Sequence, residues 1–274
     1  MDTVNSRYFL KLDYSVPHKS VYEASFPVVQ HLCDHGIDFV SRIVRTKRGQ
    51  LCTYFDSAVL GVFEWMDGDI VETEDTKIPE YEMLAKVYTV PYGGLTIPRE
   101  SFSDLKAVIF MDRYSQMQSS PVSEAGAGIL EILRQNHSKI VARAKRLKEF
   151  SYRCQGDRSR FFITHGDAGG NLMMNKGRPC ITDWDEVMAA PPERDAWVMC
   201  CQDWAREAFQ KALHERGIIY ALQPERLAYY CYHMFFTYLN AFLDGFTRAE
   251  PAQEIREYFH GWIEDRIQFA DSIL

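Results

Sequence analysis

Apolar and polar positions follow a mixed period early in the chain and a helical one later. Residues 8–12, Tyr-Phe-Leu-Lys-Leu, are apolar around one lysine and read as a strand. Val21, Phe26, Val29 and Leu32 fall at helical spacing in 21–35, a segment that stops at Gly36. Pro27 lies inside it and moves the expected helix start toward itself. Residues 39–45 read as a strand, Arg48-Gly49 as a turn and 50–55 as the partner strand. Residues 58–65 form another apolar strand, and 66–69, Met-Asp-Gly-Asp, break the pattern as a polar hinge.

From about residue 76 the helical period dominates. It predicts a helix over 80–90, ended by Pro91-Tyr92-Gly93-Gly94, a loop over 91–103, and a long basic and apolar helix over 123–150. Short strands at 161–164 and 179–182 flank a glycine-rich loop, and helices follow at 195–213, 224–246 and 252–273. The order predicts an α+β chain with a small mixed α/β part over 1–66 and a larger, mainly helical part over 67–274. No internal repeat interrupts it.

Composition narrows the class. Hydrophobic residues make up 46% and charged residues 25% of 274 positions, enough for a core without metal or disulfide staples. The net charge of −7, with no basic stripe, argues against nucleic acid as a partner. Seven scattered cysteines, an odd number with no Cys-x-x-Cys pair, argue for a reducing cytoplasm rather than a disulfide framework or zinc site. No signal peptide is visible, and no apolar run reaches the ~18 residues of a membrane span. The nearest, 227–246, is interrupted by Asn240 and Asp244 and reads as a buried helix.

The densest chemical signal is 161–174, Phe-Phe-Ile-Thr-His-Gly-Asp-Ala-Gly-Gly-Asn-Leu-Met-Met, followed by 180–186, Cys-Ile-Thr-Asp-Trp-Asp-Glu. A strand delivers His165-Gly166-Asp167, a glycine turn presents Asn171, and a hairpin returns to a strand ending in Asp183. Phosphoryl transfer needs a carboxylate for the hydroxyl proton, and an amide and a carboxylate to hold Mg²⁺ against nucleotide phosphates. Two protein side chains suffice, because Mg²⁺ keeps several waters. Asp167 is the candidate base, Asn171 and Asp183 the candidate metal ligands, and His165 the brace of the loop.

His165-Gly-Asp, Asn171 and Thr182-Asp-Trp-Asp resemble the catalytic core of the aminoglycoside phosphotransferase family. The run 190–197, Ala-Pro-Pro-Glu-Arg-Asp-Ala-Trp, resembles a branch of it, the spectinomycin-phosphotransferase-like branch being one alternative. The resemblance covers roughly 6–250 and implies a protein-kinase-like two-lobed fold, with ATP and Mg²⁺ as cofactors. It implies that Asp195 pins the catalytic loop, that Lys11 contacts the α- and β-phosphates, and that Glu23 pairs with Lys11. It also implies that 63–66, through Glu64, Trp65 and Met66, links the lobes and holds the adenine. The segment from Asp167 to Asn171 is one residue shorter than the common family loop, a shortening that Gly169-Gly170 can absorb. The family also carries a strand pair with a phosphate-covering loop ahead of the lysine. Ten residues cannot build it, so the N-lobe reads as naturally short, wrongly assigned at its start, or truncated.

The acceptor is expected to be a hydroxylated small molecule: an aminoglycoside-like antibiotic, an amino sugar or an amino alcohol. Candidate walls are Asp185, Glu186 and the face of 229–244 carrying Tyr229, His233, Phe236 and Asn240, which reads equally as core packing. The protein is expected to be a monomer or homodimer. A catalytically weak, kinase-like nucleotide- or ligand-binding protein is the rival reading. A protein kinase is disfavoured, because no Asp-Phe-Gly follows and His-Gly-Asp replaces His-Arg-Asp.

Overall fold

A computed structural model describes all residues except 2–5, 72, 120–123, 157–159, 245–250 and 274, and leaves out the side chains of 16–18, 124, 125, 251 and 252. The chain divides into two compact units. The first holds Met1–Glu100, Arg160–Asp195 and Trp204–Ala221; the second holds Ser101–Ser159, Ala196–Asp203 and Leu222–Leu274. The architecture is α+β.

The first unit opens with β1 (Tyr8–Asp13) and α1 (Val16–Asp34), followed by β2 (Cys52–Phe55) and β3 (Ala58–Glu64). The three strands form an antiparallel sheet in the order β1-β3-β2, with Lys11 opposite Gly61. Helix α1 passes through Pro27 and begins well before it. The lost backbone bond is offset by burial of Phe26, Val28, Val29 and Leu32, each worth about 1.5–3 kcal/mol. Phe26 packs edge-on against Phe63 of β3.

Residues 39–45 do not pair with 50–55 as expected; β2 pairs with β3 across a tight turn at Asp56 and Ser57. The 39–45 segment is a connector instead. Val40 bridges Ile181, and Ile43 bridges Phe63.

The expected hinge contains β4 (Gly68–Ile70), which pairs with β6 (Leu172–Asn175) of the catalytic hairpin; β7 (Arg178–Ile181) completes that sheet. Helix α2 (Glu74–Val87) starts earlier than its pattern, because Thr73 and Thr76 close its first turn. Strand β5 (Phe162–Thr164) pairs with β8 (Met188–Ala190).

In the second unit, α3 (Leu105–Ser119) lies in a stretch with no sequence assignment. Its buried residues, Ala107, Phe110 and Tyr114, share one face, but exposed Val108 and Ile109 blur the period. The helix expected over 123–150 is two, α4 (Glu124–Gln135) and α5 (His137–Gln155), and its first residue lies outside the described residues. They part at Asn136, whose side chain donates to the Ile132 carbonyl and competes with the helical ladder.

The helix expected over 195–213 is likewise divided. The short α6 (Glu193–Ala196) and α7 (Asp203–Glu215), most of which belongs to the first unit, are separated by a 3-10 turn at Trp197–Met199. α8 (Pro224–Leu243) matches its expected start, and residues 245 and 246 lie outside the described ones. It is apolar nearly all round and packs against α3, α5 and α10, the pattern of a central helix. The final helix is split at extended Gly261 into α9 (Pro251–Tyr258) and α10 (Trp262–Asp271). Among the described residues no helix is long and apolar enough to cross a membrane.

Candidate active site

Strand β5 carries the chain into His165-Gly166-Asp167, and Gly166 turns it at φ 95°. A side chain at 166 would strike the Arg194 guanidinium, which donates to Thr164 Oγ1 (3.1 Å) and the Glu186 carbonyl (2.9 Å). A 3-10 turn over Gly169–Asn171 then leads into β6. The turn is pinned from outside by Asp195, which is buried. Its carboxylate accepts the His165 and Gly166 backbone N–H groups (3.1 and 2.5 Å) and the Tyr88 hydroxyl (2.7 Å).

His165 is also buried. Its Nε2 lies 2.8 Å from the Thr182 carbonyl, and its Nδ1 lies 3.2 Å from the Asp167 N–H. A carbonyl on one side and a donor on the other define a neutral ring protonated at Nε2. Burial, ahead of all charges, pushes its pKa below the ordinary value.

Asn171 Nδ2 donates to the Asp167 carbonyl (2.8 Å) and to Asp167 Oδ2 (3.2 Å), so the candidate base and amide touch. This leaves Asn171 Oδ1 available as an acceptor. Asp183, two residues past β7, sits in the left-handed region at φ 56° and ψ 62°, uncommon for a residue other than glycine. Lys11 Nζ bonds Asp183 Oδ1 at 2.5 Å and also pairs with Asp185. The Asp185 carboxyl is pushed up to about 6, chiefly by burial, with Asp183 adding to the shift and Lys11 opposing it.

Lys11, Asn171, Asp183 and Asp185 share the wall of one cavity of about 400 Å³ with Glu64, Trp65 and Met66. Phe9, Phe26, Val29, Phe63 and Met173 supply apolar surface to the same cavity. It therefore offers flat apolar faces together with an ammonium and oxygen donors, a set suited to a base joined to phosphates. Asn171 and Asp183 fit a hard cation such as Mg²⁺ through oxygen. Among the described residues no group of three His, Cys, Asp or Glu side chains is placed to hold a metal alone, and a nucleotide phosphate and waters would complete such a shell.

One assignment needs correction. Glu23 does not meet Lys11; it accepts a hydrogen bond from Tyr54 of β2. One helical position back, Tyr22 faces Lys11 instead, its ring centre 5.2 Å from Nζ, because a step of one residue rotates a helix by about 100°. Asp185 lies beside Lys11 in the cavity, where the Trp184–Glu186 3-10 turn places it. Glu186 is exposed near Arg194. In the second unit, His233 meets Tyr229. Asn240 ties α8 to α3 by donating to the Lys106 carbonyl and accepting from Arg113.

Sequence reasoning missed Tyr22, Tyr88 and Arg194. Phe9 went unassigned too; its alternation with Lys11 along the strand is the signal that points to it, and the place of Arg194 beside Asp195 is the signal for that residue.

The family model described as Phosphotransferase enzyme family (APH) matches residues 1–230. The chain belongs to this family. It is a phosphotransferase by that membership. No curated protein matches it in sequence. The solved structure of spectinomycin phosphotransferase APH(9)-Ia with ADP and spectinomycin is 18% identical, with a TM-score of 0.78 over 98% of this chain and 87% of that one. Amicoumacin kinase with AMP-PNP, Ca²⁺ and its ligand is 14% identical, with a TM-score of 0.63 over 98% and 83%. Plasmodium vivax ethanolamine kinase is 14% identical, with a TM-score of 0.60 over 97% and 76%. These likenesses establish the fold, which is protein-kinase-like.

Proposed function

We propose that this phosphotransferase moves the γ-phosphoryl group of ATP, with Mg²⁺, to a hydroxyl of a small amino-bearing molecule: an aminoglycoside-like antibiotic, an amino sugar or an amino alcohol. The observation that carries this reading is the single cavity that gathers Lys11, residues 64–66, Asn171 and Asp183, with Asp167 hydrogen-bonded to Asn171. The ligands named for the relatives, spectinomycin and ethanolamine, support a hydroxylated acceptor.

In this reading the backbone of 64–66 meets the adenine edge, and Lys11 leaves its two carboxylates to meet the α- and β-phosphates. Asn171 and Asp183 would hold Mg²⁺, which would neutralise charge on the nucleotide phosphates. Asp167 takes the acceptor's hydroxyl proton as the new phosphorus–oxygen bond forms and the β–γ bridge breaks. His165 keeps the loop in register and, being neutral, adds no charge. Glu186 is a candidate contact for the acceptor. The lobe boundary is placed at 66/67. The protein works as a monomer or homodimer in a reducing cytoplasm, which its seven free cysteines support.

The test is phosphorylation with Mg²⁺·ATP across aminoglycosides, spectinomycin, macrolides, choline and amino sugars, wild type against Asp167→Asn. The variant is expected to lose about 10³-fold or more in kcat with an unchanged melting temperature. A wild type as inert as the variant across that panel, while still binding nucleotide, would assign the chain to the binding proteins instead.

A further inference from the structure

A buried charge pair lies against the catalytic turn, and the transfer chemistry does not use it. Lys77 and Glu80 stand three residues apart on α2, with Nζ 3.0 Å from Oε2, and are only 4% and 3% exposed. Lysine and glutamate are almost never buried this deeply unless paired. On the loop side, Gly169 is buried in the turn between Asp167 and Asn171. A methyl group added to it would fall 2.5 Å from Lys77 Nζ and 3.7 Å from Glu80 Oε2. The ammonium therefore fills the space that a side chain at 169 would take. Helix α2 also contacts β5 and β7, the strands that deliver His165 and Asp183.

As a stability device such a pair is inefficient. Lost hydration offsets most of the attraction, and apolar replacements of similar volume are often tolerated or better. Its usefulness lies in direction. A partnered ammonium has one favourable place, and here that place fixes the distance between α2 and the backbone at 169.

We propose that Lys77 and Glu80 are positioning residues that hold the 167–171 turn, and with it Asp167 and Asn171, against α2, and that Gly169 is needed to admit the ammonium. The consequence for turnover rests on the catalytic reading above; the consequence for the loop does not.

The experiment uses the full chain carrying Lys77→Met with Glu80→Gln, which keeps volume and leaves no unpaired charge. Hydrogen–deuterium exchange is followed by mass spectrometry over peptides covering 165–172. Their amides are expected to exchange roughly tenfold faster, with α8 peptides unchanged. kcat is expected to fall on the order of 10–100-fold, with a rise in KM for ATP as Asn171 shifts and α8 exchange as in wild type, the signature of displaced groups rather than lost folding. Wild-type exchange over 165–172 would overturn the proposal. Should the double variant fail to fold, Gly169→Ala, which keeps both charges, must show the same faster exchange, and wild-type exchange there would overturn it equally.

Faster loop exchange in a chain with no Asp167-dependent turnover would support the positioning role while sinking the transfer reading. Unchanged exchange beside Asp167-dependent turnover would do the reverse.

Discussion

Asp183 combines a functional oxygen with a backbone conformation that few side chains accept. A left-handed residue other than glycine costs roughly 1–2 kcal/mol, least for asparagine and aspartate. Asp183→Asn should therefore fold as well as wild type, or slightly better with one fewer carboxylate beside Asp185, while losing Mg²⁺-dependent ATP affinity. Calorimetric melting paired with ATP titration checks both halves.

His165 makes a separate prediction. It is held neutral, and burial lowers its folded pKa, whereas the unfolded chain takes up its proton near pH 6.5. The unfolded state therefore binds more protons below that value. The stability from His165 is fully present above about pH 6.5 and is lost as pH falls toward the folded pKa. Melting temperatures between pH 7.5 and 5.5 should drop more steeply for wild type than for the non-titrating His165→Gln. Parallel curves would contradict the assignment.

At the scale of elements, the catalytic hairpin depends on a residue outside it. Asp195→Ala would leave the His165 and Gly166 N–H groups without their acceptor, at about 1–3 kcal/mol each. A loss of about 4 kcal/mol in denaturant unfolding is expected, and a loss below about 1 kcal/mol would show that the anchor is dispensable.

The hairpin was legible because its signals are local: glycines at the turn and oxygen-bearing residues within twenty positions of one another. Lys11 and 64–66 needed the family resemblance, since nothing local links a strand lysine to a strand end fifty residues on. The pairing of β2 with β3, rather than with 39–45, was hidden because all three segments are short and apolar, and only their competition for β3 decides it. Glu23 failed for a rotational reason: adjacent helix positions face different neighbours, and a single sequence does not say which one faces the sheet. Helix breaks at Asn136 and Gly261 also escaped, one a side-chain bond to the backbone and the other an extended glycine.

For the whole molecule, every nucleotide contact proposed here lies within the first compact unit, so ligand binding should stabilise that unit directly. At one hundred times its dissociation constant a ligand of the folded state adds about 2.7 kcal/mol. The direct measurement is isothermal titration of ATP, with and without Mg²⁺, into wild type and Asp183→Ala. Wild type should bind tightly only with Mg²⁺, and the variant should show no Mg²⁺-dependent binding. A normal Mg²⁺·ATP titration in Asp183→Ala would contradict the account.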